Sequence, residues 1–110
     1  MTAKIHGRLG AVDLAATTNT TAYTVPASRK ATCGINICNR NASSITFRLA
    51  HIDGALGSVA NEDYLEYGVT IAANGTYERT GITMTATHTL MVYASGTGAS
   101  AVVTGVEEDV

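Results

Sequence analysis

Tryptophan is absent, phenylalanine and proline occur once each, and seven basic against nine acidic side chains leave the 110-residue chain near neutrality, with a formal net charge of −2. Each shortage narrows the reading. With no basic cluster, the electrostatic footprint of a nucleic-acid binder is missing. No run approaches the roughly 20 apolar residues of a membrane span, and the N-terminal stretch MTAKIHGR is followed by no apolar segment of signal-peptide length. A soluble chain is therefore expected, with no nucleic-acid or membrane partner and no secretion through a signal peptide. The two cysteines, Cys33 and Cys38, sit five positions apart in what reads as one strand. At about 3.3 Å per residue their Cα atoms stand roughly 16 Å apart, beyond the reach of a disulfide. Free thiols are expected, and these suit assembly in a reducing cytoplasm.

What the chain does hold is Ala, Val, Ile and Leu with many Thr, a mixture that suits strands. The length allows one two-layer core, so residues 1–110 are read as a single domain. Alternation is cleanest where Ile45, Phe47 and Leu49 interleave with Ser44, Thr46 and Arg48, the period of two that buries one face of a strand. Upstream, Cys33, Ile35 and Ile37 alternate in the same way, and residues 39–43 separate the two runs. The pair is predicted to be a β-hairpin with an Asn-rich loop and Arg40 free at its tip. Further runs put Thr21, Tyr23 and Val25 on one face, Leu65, Tyr67, Val69 and Ile71 on one face, then Leu90, Val92 and Ala94, then Val102, Thr104 and Val106. With residues 5–14 and 76–84 the total is about eight short strands. The predicted fold is all-β, an antiparallel two-sheet sandwich or jelly roll. Pro26 marks a corner between strands, Asn74-Gly75 a turn, residues 53–63 an exposed loop at one end, and the final EEDV a solvated terminus.

Candidate chemistry is sparse. Three glycosylation sequons, at Asn19, Asn41 and Asn74, each fall where a turn Asn precedes the first Thr or Ser of a strand, and turn physics alone accounts for them. His6, His51 and His88 are dispersed; His51 and Asp53 offer two ligand atoms where zinc needs three or four. No Gly-x-Ser-x-Gly occurs, and ASGTGAS lacks the Lys of a phosphate loop. Glu62, Asp63 and Glu66 are the acidic cluster nearest to aromatic residues, which glycoside hydrolysis would use only if two carboxylates faced each other across a cleft. An enzyme would need His51, Asp53 and Glu62 brought together; no enzyme and no cofactor or metal is expected. Of the amphipathic tyrosines Tyr64, Tyr67, Tyr77 and Tyr93, strand parity places Tyr64 and Tyr67 on opposite faces, leaving one to mark a contact surface. Strand-rich chains this small often complete their burial by oligomerising.

The order YTVPA (residues 23–27), INICNRN (35–41), FRLA (47–50), YLEY (64–67), IAANGTYER (71–79), LMVYAS (90–95) and VTGVEE (103–108) resembles the small virion-associated β-sandwich proteins of tailed bacteriophages. The likeness spans nearly the whole chain, and its motifs are structural punctuation. Where such chains carry an acidic or Gly-Asp turn before the penultimate strand, this one has TATHTL (85–90). The resemblance implies a virion protein assembled in the host bacterial cytoplasm, a capsid decoration or cement subunit. Its partners would be its own copies, with a trimer among the orders allowed, and the major capsid protein or another virion protein. The alternative is a tail or fibre module that binds a receptor glycan through Tyr64 or Tyr67 beside the acidic loop. Residues expected at an interface are Lys4, His6 and Arg8 in an N-terminal arm, Arg40 at the turn, Asp53 and Asn61 in the long loop, and Tyr64 and Tyr67 beside it.

Overall fold

A period-two pattern buries a face only if a second sheet covers it, and the computed structural model shows how this chain supplies that cover. It describes residues 4–110; the first three residues of the expected N-terminal arm lie outside that span. Eight strands form: β1 (Lys4–Asp13), β2 (Thr20–Thr24), β3 (Arg29–Asn39), β4 (Ile45–Ile52), β5 (Tyr64–Ile71), β6 (Thr76–Met84), β7 (Thr89–Ala94) and β8 (Ala99–Asp109). They make two four-stranded antiparallel sheets of order β1-β8-β3-β6 and β2-β7-β4-β5. This is a jelly-roll sandwich: apart from β4 and β5, every pair of strands consecutive in sequence lies in opposite sheets. The only helical pieces among the described residues are 3-10 turns at Leu56–Ser58 and Asn61–Asp63, and no helix is long and apolar enough to cross a membrane.

The layers meet over aliphatic side chains. Val25, Ile37, Phe47, Leu49, Leu90 and Val103 are fully buried, and Ile35 and Val92 lie beside them. At about 25 cal/mol per Å² of apolar surface removed from water, such residues supply most of the favourable free energy of folding. Cys33 and Cys38 are both free thiols; burial pushes the Cys33 thiol up to about 11, so at neutral pH it behaves as a small apolar side chain.

Pro26 does stand at a corner, where the chain leaves β2 for β3 in the other sheet. The expected hairpin of residues 33–38 and 44–50 is not one: β3 and β4 belong to opposite sheets, and residues 40–44 carry the chain across the core. Alternation reports which side chains point inward, and it is the same whether two strands lie side by side or face each other. Asn39 ends β3 fully buried, with its Nδ2 donating to the carbonyls of Ser43, Ile71 and Ala72, while its Oδ1 accepts from the amide and side chain of Asn41. It ties this crossing to the neighbouring Asn74-Gly75 turn, which likewise joins strands of different sheets. Arg40 is not free at a tip; it pairs with Asp13.

Other assignments change as well. A bulge at Ala22 shifts the register of β2 against β7, so Thr21 is exposed while Tyr23 and Val25 face the core. In β8 the core face is Ala99, Ala101, Val103 and Glu107, and Val102, Thr104 and Val106 face outward. Gly105 falls on that inward row because a Cβ there would sit 2.2 Å from the Thr32 carbonyl oxygen, leaving no room for a side chain. The EEDV terminus is correspondingly not all solvated: β8 continues to Asp109, and Glu107 is buried. Residues 53–63 also do more than project. Leu56 and Val59 fold back over the outer face of the second sheet and cover Ala50, Ile52 and Met91, a second, smaller apolar cluster.

Candidate functional site

Two groups of polar and aromatic side chains collect on the second sheet. The first lies on its outer face. In register across β5, β4 and β7, Tyr67 pairs with Arg48 and Arg48 with Tyr93. Because β5 and β7 flank β4 on opposite sides, the two rings approach the guanidinium from opposite sides, with Cζ 4.3 Å from the Tyr67 centroid and 4.4 Å from that of Tyr93. Stacking of this kind favours Arg, whose planar, weakly hydrated cation lies flat on a ring. Tyr64 meets Tyr67 edge to face at 4.9 Å. Strand parity predicts opposite faces for Tyr64 and Tyr67, and the structure places both on the outer face. Gly68, at φ +71°, and Leu65 are left out of the ladder with β4, and each bulge reverses the alternation. The same bulges keep Leu65 and Val69 against the core while Tyr67 turns out to solvent, 62% exposed.

The second group sits at one end of the sandwich. His51, near the end of β4, brings Nε2 to 2.8 Å from Nδ1 of His88, which comes from the TATHTL turn between β6 and β7. His88 Nε2 lies 2.9 Å from Asp53 Oδ1 and 3.0 Å from Thr85 Oγ1. One proton fits between the two rings, so one ring must present a bare nitrogen to the other. Burial lowers the His51 pKa, and His88 lowers it further, against the opposing pull of Asp63 and Asp53. The structure thus brings His51 and Asp53 together through His88, which sequence reasoning left apart from them. Glu62 makes no hydrogen bond or ion pair with this group among the described residues. Asp53 and the Thr85 hydroxyl share one His88 nitrogen, so His88 does not relay a proton from that hydroxyl to a carboxylate. No cluster of three or more metal-ligating side chains occurs among the described residues.

The remaining expected interface residues are scattered. Lys4 pairs with Glu108 at 3.3 Å on edge strand β1, where His6 and Arg8 stand exposed. Asn61 opens the second 3-10 turn and is exposed. Glu66 is turned away from the Tyr67 face: it accepts from the Tyr77 hydroxyl at 2.5 Å and from Arg79 at 3.3 Å. Arg48, Tyr93 and His88 were the residues that sequence reasoning did not single out as a site. Arg48 and Tyr93 are marked only by cross-strand register, and His88 only by the packing of its turn beside His51, neither of which a one-dimensional pattern carries.

No family model and no curated protein matches the chain. Among solved structures, a chain of the structure described as "Cyanophage Pam1 capsid asymmetric unit" is similar over 99% of this chain and 86% of its own length, at 13% identity and a TM-score of 0.45.

Proposed function

We propose that the chain is a structural subunit of a tailed-phage virion, a decoration or cement protein that binds the shell of major capsid protein as a homo-oligomer. The observation that carries this reading is the jelly-roll strand order with its interior filled by Val25, Ile35, Ile37, Phe47, Leu49 and Leu90. The fold recurs in viral capsid and lectin domains and in cupins. With the space between its sheets occupied by apolar side chains, this copy presents outer faces and edge strands as its working surfaces. The sequence resemblance to virion-associated sandwiches, which runs along nearly the whole chain, supports the same role. Free thiols separated along β3 accord with assembly in a bacterial cytoplasm. Repeated weak contacts over a lattice would give firm attachment by avidity.

The test is sedimentation of the purified protein with shells depleted of it, alongside mass spectrometry of purified virions. Saturable co-sedimentation and presence in virions are expected; failure to bind depleted shells, or absence from virions, overturns the reading. A tail or fibre module that binds a glycan is the second reading, favoured by the finding that Tyr64 and Tyr67 share one exposed face. Glycan-array binding lost on Tyr67→Ala would establish it in place of the cement role.

A further inference from the structure

Most cations of this protein are already spoken for. Arg29 reaches Glu107 and Asp109, Lys30 and Lys4 reach Glu108, Arg40 reaches Asp13, and Arg79 reaches Glu66. Arg8 stands exposed on edge strand β1. Arg48 differs from all of them: it is half-buried, its position is set by two cross-strand rings, and it makes no ion pair or hydrogen bond with any described residue. The carboxylate nearest in sequence to Tyr67, Glu66, is turned inward and held by Tyr77 and Arg79.

We propose that Arg48, clamped between Tyr67 and Tyr93, is a docking site for an Asp or Glu side chain projecting from a protein partner. Both ring contacts engage the cation through its π system, and its five N–H donors, which point outward in the guanidinium plane, meet no acceptor among the described residues. A carboxylate meets such donors with two parallel hydrogen bonds. Because the rings already hold the cation in place, little side-chain entropy is lost when the partner arrives. The surroundings favour a protein over an acidic sugar. Arg48 lies on an open sheet face, beside the exposed hydroxyls of Thr46, Thr70 and Ser95, away from the groove that Lys30, Thr83 and Glu108 line and from the one that His51, Leu65 and Arg79 line. A sugar acid is normally gripped in a concave site, whereas a flat face with a central Arg flanked by tyrosines has the composition of a protein interface.

The proposal names the chemistry of the surface this chain docks against, and it rests on the virion reading only for the partner's identity. The experiment therefore has two arms. In the first, N-acetyl-glutamate amide is titrated against sodium chloride at matched ionic strength, and the Arg48 Nε–H and the Tyr67 and Tyr93 ring protons are followed by NMR. A saturable shift with the glutamate probe is expected, at least tenfold weaker in Arg48→Lys and absent in Arg48→Gln. Equal responses to both salts, or an unchanged response in Arg48→Gln, overturn the proposal. So does tighter binding of glucuronate or sialic acid than of the glutamate probe, which would assign the site to a glycan. In the second arm, depleted shells are challenged with wild type and with Arg48→Glu. Loss of binding in the variant alone, with its fold intact by circular dichroism, supports the protein partner. Equal binding by both removes Arg48 from that interface. Failure of both to bind, with a positive first arm, overturns the virion reading and leaves the carboxylate site standing.

Discussion

The same three residue types meet twice in this protein, at different depths. Where β2 and β8 approach, the Tyr23 hydroxyl donates to Glu107 Oε1 at 2.6 Å and Arg29 donates to Glu107 Oε2 at 3.0 Å, with Glu107 only 6% exposed. Where β5 and β6 approach, Tyr77 and Arg79 donate to Glu66, but here the Arg and Glu side chains are 41% and 25% exposed. The identical set of donors and acceptor is thus an internal joint in one place and a partly solvated seam in the other. Water decides the difference in worth: a carboxylate stripped of solvent depends wholly on its protein donors, and one at the surface exchanges them for water at little cost.

The largest effect should come from cutting the buried joint. Glu107→Ala leaves the Tyr23 hydroxyl without its acceptor and is expected to cost about 3 to 5 kcal/mol in urea unfolding, against about 1 kcal/mol or less for Glu66→Ala. Comparable losses would show that depth is not the deciding variable. Asn39→Ala should fall between them, at about 2 to 3 kcal/mol. It removes a buried but neutral hub and leaves the Ile71 and Ala72 carbonyls without their side-chain donor.

Alkali should separate the two tyrosines. Burial first, then the hydrogen bond and charge of Glu107, raise the Tyr23 pKa above its ordinary value of 10.0. Its contribution to stability is present in full below about pH 10, where the unfolded chain begins to ionise, and is lost as pH rises from there toward the folded value. Denaturation midpoints against pH should therefore fall above pH 10, and Tyr23→Phe should flatten that fall more than Tyr77→Phe. Tyr77 is raised by the same causes, burial first and then Glu66, but Arg79 opposes them through a hydrogen bond as well as its charge, whereas at Tyr23 Arg29 opposes through its charge alone. The smallest effect is expected at the acid side, from His51. Its pKa lies below the ordinary 6.5, so the unfolded chain binds the proton first. The stabilisation is present above about pH 6.5 and lost as pH falls from there toward the folded value. His51→Gln should reduce that acid slope while leaving the slope above pH 10 unchanged.

Much of the fold was legible because inward and outward positions leave a mark of period two. Cys33, Ile35 and Ile37 in β3, Ile45, Phe47 and Leu49 in β4, and Leu90, Val92 and Ala94 in β7 all point where alternation says. The misreadings have two causes. Thr21 and Tyr67 were placed on the wrong faces because a bulge adds one residue to a strand without altering its composition. Glu107 was taken for a solvated end because a charged residue reads as exposed unless its distant partners, Tyr23 and Arg29, are known. The His51–His88–Asp53 group was invisible for the same reason: His51 and His88 lie 37 positions apart and meet only through the packing of β4 against the turn before β7.

Strand count, the corner at Pro26, the turn at Asn74-Gly75, the free thiols and the β-sandwich class follow from the sequence alone, since each rests on local backbone preference or on the side-chain period of a strand. Which strands pair, which aliphatic faces meet and which charged groups find partners were decided only by the tertiary structure. In a jelly roll nearly every hydrogen-bonded neighbour is distant in sequence. The rings of Tyr67 and Tyr93 reach Arg48 from strands on either side of it, and no local pattern encodes that register.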